Sequence, residues 1–117
     1  MSNLMPRDII EAVTSVLEDM RVDSRERGRS YLTAYQILEK LPSETRNRLI
    51  EERGTPGLGA GNYYAAANVV SDAAEMIRDI EIAFLETSSL NITLNSEIKI
   101  TPGNPNIGLY RLQNHHG

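Results

Sequence analysis

Cysteine is absent from this chain. Disulfides, thiolate nucleophiles and cysteine-ligated zinc or iron–sulfur sites are therefore excluded, which fits a reducing compartment. Histidine occurs only as His115 and His116, adjacent and close to the last residue. Neighbouring side chains point apart on a strand and chain ends fray, so neither is placed as a held general base. Ser-His-Asp and Cys-His arrangements thus have no support, and no catalytic residue is expected. Long apolar runs are also missing. Arg7, Asp8 and Glu11 interrupt the first residues before any signal-peptide-like stretch, and nothing approaches membrane-spanning length, so a cytoplasmic location is expected. Finally, no basic residue occurs from Gly54 to Ile77.

What remains is an ordinary globular balance of 40% hydrophobic and 24% charged residues, with a net charge of −4. A chain of 117 residues fits one domain, here residues 1–112, with 113–117 as a flexible tail. The net charge disfavours general attraction to nucleic acid or anionic lipid. The charge is uneven, however. Arg21 to Arg53 holds eight basic and six acidic residues, whereas Gly54 to Ile100 holds two basic and six acidic ones.

The most informative stretch is residues 63–79. At about 100° per residue, Ala66, Val70, Ala73 and Ile77 fall on one line of a helix, and Asn68, Asp72, Glu75 and Asp79 on the opposite one. Ala65, Ala67, Val69, Ala74 and Met76 widen the apolar side to roughly 200°. Such an arc fits a central helix gripped from two sides or covered by a second subunit. The alanines let neighbouring backbones approach, so replacing Ala73 with Leu is expected to overpack the site.

Before it, Ile9, Ile10, Val13, Val16, Leu17 and Met20 mark a first helix that Pro6 and Asp8 suit at its start. Residues 21–30 have no periodicity and read as a polar connector. Thr33 and Gln36 form a capping-box pattern for a second helix, with Ile37, Leu38 and Leu41 as its apolar face. Pro42 ends it, Ser43 can cap a third helix, and Gly54 can close that one. After Asp79 the period changes to two: Ile80, Ile82 and Phe84, then Leu90, Ile92 and Leu94, then Ile98 and Ile100. A loop of residues 95–97 pairs Leu94 with Ile98 and Ile92 with Ile100, which keeps one face apolar. Ile107 to Leu112 form a last strand.

Three constellations bear on function. Gly57 to Gly61 precede a helix, but no strand comes before them and Asn62-Tyr63 replaces the Lys-Ser/Thr of a phosphate loop, so they read as a connector. Asp72, Glu75 and Asp79 lie on one helix, which by itself seldom makes a cation cage, so no metal or cofactor is expected. Arg25, Arg27, Arg29, Arg46, Arg48 and Arg53 are candidates for contact with an anion or phosphate, although interleaved acids make a mixed solvated surface the simpler reading.

The order of helix, helix, short helix, long helix and β-hairpin resembles winged helix-turn-helix domains. In that resemblance Thr33 to Leu41 is the positioning helix, Tyr63 to Ile77 the reading helix and Leu90 to Ile100 the wing. It implies DNA binding, with arginines of the connector as contacts. A reading helix presents Arg, Lys, Asn or Gln to base edges. This one offers Asn68 followed by Asp72, Glu75 and Asp79, a surface adapted to something else.

The sequence therefore predicts an α+β, winged-helix-like domain whose long central helix precedes a small antiparallel sheet. Its leading functional expectation is a non-catalytic interaction module that works through protein or small-ligand contacts as a homodimer or higher oligomer. Tyr63, Tyr64 and Met76 are the expected interface residues. The alternative is a DNA-binding regulator.

Overall fold

The computed structural model describes residues 5–20, 22–24, 28–53, 61–90, 92–94, 99–100 and 106–113. They form an α+β unit. Helix α1, Pro6–Glu18, buries Ile9, Val13, Val16 and Leu17, the stripe that the 3.6-residue period requires. Met5 gives it no side-chain cap, but Pro6 occupies the first turn, where a missing N–H costs nothing.

The chain then turns back through β1, Val22–Ser24, and β2, Gly28–Arg29, which pair antiparallel. This corrects the reading of residues 21–30 as a plain connector. The ribbon is too short to show alternation, and backbone pairing alone defines it. Its register is irregular between Val22 and Ser24, and Gly28 sits at φ 73°, the left-handed region that glycine enters without a steric penalty. Strand β3, Leu32–Thr33, leads directly into helix α2, Ala34–Lys40.

Thr33 caps α2 as expected. Its Oγ1 accepts from the Gln36 amide at 3.2 Å, while Gln36 Oε1 accepts from the Thr33 amide at 2.9 Å. Leu41, before Pro42, leaves the helix at ψ 153°, the extended geometry proline imposes on its predecessor. Helix α3, Ser43–Arg53, buries Leu49 completely and Ile50 in part.

Helix α4, Gly61–Glu75, is the centre of the molecule and packs against α1, α2 and α3. Ala66, Ala67, Val70, Ala73 and Ala74 are buried, whereas Asn68, Asp72 and Glu75 are exposed, as their spacing requires; Asp79 is exposed too, beyond the helix. The helix ends four residues before Asp79. The amides of Met76 and Ile77 bond back to Ala73 and Ala74, which tightens the last turn. The Asp79 carbonyl then accepts from the Gln113 amide at 2.8 Å, so this part of the backbone is drawn into sheet pairing.

Strand β4, Ile80–Glu86, pairs antiparallel with the last strand, β7, Asn106–Leu112, and β7 also pairs with β3. Among the described residues the sheet thus has three strands, in the order β3-β7-β4. A separate ribbon pairs β5, Ile92–Thr93, with β6, Lys99–Ile100. Its register puts Ile92 opposite Ile100, as the three-residue loop requires; the loop and the Leu94–Ile98 pair lie outside the described residues. One continuous core joins α1, α2, α3 and α4 to Leu32, Ile107 and Tyr110 of the sheet.

Candidate functional site

Strand β4 is the edge of the three-stranded sheet, and among the described residues no strand covers its outer side. Edge strands leave a row of N–H and C=O groups open to another chain, and proteins commonly guard them with Lys, Pro or short length. β4 has seven residues, IEIAFLE, and none of them is Lys, Arg or Pro. Phe84 is 73% exposed, Ile82 41% and Leu85 40%.

The register explains why apolar side chains stay in water. Ile82 pairs with Tyr110 and Phe84 with Gly108, so all four share one face, together with Leu32. At the Ile80–Leu112 end this face packs on the core. Its cover thins along the strand towards Phe84. A side chain at Gly108 would not fit, since an added Cβ would stand 2.7 Å from Tyr110 Oη. The phenol therefore folds over Gly108, and its hydroxyl meets the Ser71 hydroxyl of α4.

Both acids of β4 are engaged. Glu81 pairs with Arg111, whose Nε and Nη2 lie 3.4 Å from its two oxygens. The Arg111 guanidinium also lies over Tyr31, 4.3 Å from the ring centroid, and donates to the Arg29 carbonyl. Glu86 accepts from the Ser88 amide at 2.6 Å, and hydrogen bonds from Ser88 hold its carboxyl below the usual range.

Of the candidate anion-binding arginines, Arg29, Arg46 and Arg48 are described, and each has a partner within the chain. Arg29 Nη1 donates to the Glu18 and Met20 carbonyls, at 2.9 and 2.7 Å. It thereby caps the end of α1, whose last turn has no cation of its own. Arg46 reaches the Glu39 carbonyl at 3.4 Å, and Arg48 lies 3.8 Å from Glu52 one turn on. Arg53 ends α3 with its side chain outside the described residues, as are Arg25, Arg27 and Gly57.

Of the expected interface residues, Tyr63 and Tyr64 fall in the first turn of α4, and their side chains lie outside the described residues. Met76 is 72% exposed. It borders a groove of about 290 Å³ between α1 and α4, lined by Pro6, Ile9, Ile10, Val69 and Ala73 with Asp72 among them. Of the rest of the apolar arc, Ala66, Ala67, Val70 and Ala74 are buried, and α4 packs on α1, α2 and α3. Exposed apolar side chains thus occur at Met76 beside this groove and on β4. No group of three or more potential metal ligands occurs among the described residues.

Tyr110 was not singled out by the sequence, because neither its face nor its reach to Ser71 is visible in residue spacing. Burial raises its pKa above the ordinary 10.0; the Ser71 hydrogen bond opposes this, and the nearby Glu75 and Asp72 carboxylates add to it. A raised folded-state value means that the stabilising contribution is fully present below pH 10.0 and is lost as pH climbs through the raised value. Urea stability is thus expected to fall above pH 10 in the wild type and to fall less steeply in Tyr110→Phe. Parallel profiles for the two proteins would remove Tyr110 from this role.

No protein-family model, no curated protein and no solved structure matches the chain.

Proposed function

We propose that this chain is a non-catalytic interaction module that works as a homo-oligomer. The observation that supports this reading is the seven-residue edge of β4, which no strand covers among the described residues, with Ile82, Phe84 and Leu85 exposed. Large apolar side chains beside open backbone donors and acceptors favour protein contact. Of the two acids on the strand, Glu81 is paired with Arg111, and Glu86 at its end accepts from the Ser88 amide. Light scattering across a concentration series is expected to give a mass above 13.0 kDa that rises with concentration. A mass that stays at the monomer value to high concentration removes this reading.

A second reading has its own observation. The strand that leads into the second helix, β3, pairs with the last strand, β7, which in turn pairs with β4. A three-stranded sheet built this way, with α4 in the position of a reading helix, agrees with the winged helix-turn-helix resemblance and hence with DNA binding. The acids Asp72 and Glu75 belong to the C-terminal half of α4, whereas such helices read bases with their N-terminal residues. Even so, Arg29, Arg46 and Arg48 have in-chain partners. Fluorescence anisotropy with a labelled random duplex near physiological salt is therefore expected to show no tight binding. Sub-micromolar affinity that weakens steeply with salt would put this reading first.

A further inference from the structure

We infer that two copies of this chain pair through β4 about a two-fold axis at Ala83, joining their two three-stranded sheets into one. This rests on the oligomer reading above and assigns its geometry. In an antiparallel pair, opposed residues share a face, and a two-fold axis must relate each residue to its mate in both directions. An axis at Ala83 sets Ile82 against the partner's Phe84, and Phe84 against the partner's Ile82. It also sets Glu81 against the partner's Leu85 and Ile80 against the partner's Glu86. All seven residues of each strand then find a mate.

Shifting the axis to Ile82 or Phe84 leaves only five residues of each strand paired. The Ala83 register also forms the Ile82–Phe84 pair twice on one face, and these are the side chains whose cover within the chain runs out. Aromatic and β-branched residues opposed across strands are among the favourable pairs. No two carboxylates stand directly opposite in this arrangement. Ala83, between them, adds no bulk at the axis. The occupant of the edge is thus a second copy, because this register lets the exposed Ile82 and Phe84 of each strand cover one another.

The absence of cysteine makes the register directly testable. Ala83→Cys places two sulfur atoms across the axis, where directly opposed Cβ atoms are about 4.5–5.5 Å apart, and mild oxidation is expected to give a covalent dimer as the main species. Thr93→Cys, exposed on the separate ribbon, serves as the control and is expected to stay monomeric on a denaturing gel. As a second route, Glu81→Cys mixed with Leu85→Cys is expected to cross-link far more than either alone. Phe84→Lys is expected to weaken self-association at least about tenfold while keeping the wild-type circular dichroism. A dimeric mass by light scattering with no more cross-link at Ala83→Cys than in the control overturns the register and leaves the oligomer reading in place. A monomer at every concentration overturns both.

Discussion

Replacing Leu49 with Ala is expected to cost about 2–5 kcal/mol, the range for a large-to-small change at a fully enclosed site. Leu49 has no exposure and is the single fully buried side chain of α3; Ile50 beside it is only half-buried. The rest of that helix is polar, and its Arg48–Glu52 pair, exposed on the surface, contributes on the order of 0.3–0.5 kcal/mol at most. Leu49, with Ile50 beside it, therefore supplies the apolar packing of α3 among the described residues. Urea denaturation is the measurement, and hydrogen exchange of the α3 amides should show the loosening concentrated there. A loss below about 1 kcal/mol would mean that α3 is held by something other than its apolar contact.

Leucine at Ala66 is expected to destabilise by about 1–3 kcal/mol, because added methylenes must displace packed neighbours. Ala66 has no exposure, in the part of α4 enclosed by the other helices. Ala73 is different. It is 7% exposed and lines the groove of about 290 Å³ between α1 and α4, so a larger side chain there has space to enter. The sequence treats the two alanines alike, and the expectation that Ala73→Leu overpacks is replaced by a small effect. Asp72→Ala, on the exposed side, serves as the neutral comparison. Equal losses for Ala66→Leu and Ala73→Leu would show that the groove does not accommodate the larger residue.

The proposed strand pairing and the alternative proposal of DNA binding lead to different experiments on the same molecule. DNA contact would use α4 and the segment between β4 and β7, whereas strand pairing would use the outer edge of β4. Phe84→Lys is therefore informative for both: it should disrupt association through the edge, and its added positive charge should not weaken a DNA interaction made elsewhere.

The features legible in the sequence are those set by local rules. Helix period placed Ile9, Val13, Val16 and Leu17 of α1, and Ala66, Val70 and Ala73 of α4, on buried faces. Side-chain to backbone bonding within three residues placed the Thr33–Gln36 cap, and the two-residue period of strands placed the Ile92–Ile100 pair. Each is decided by residues close in the chain or by a periodicity that any burial must respect. Tertiary structure alone decided the rest. The Gln113 amide meets the Asp79 carbonyl, and α4 stops at Glu75 rather than continuing. Arg29 closes the end of α1, and Tyr110 reaches Ser71, across distances in sequence that no spacing rule spans. The alternation of IEIAFLE identifies a strand, but whether Ile82 and Phe84 are covered depends on where the helices end above the sheet. The buried Ala66, Ala67, Val70 and Ala74 of α4 are therefore not offered to a partner, whereas Ile82, Phe84 and Leu85 of β4 stay exposed.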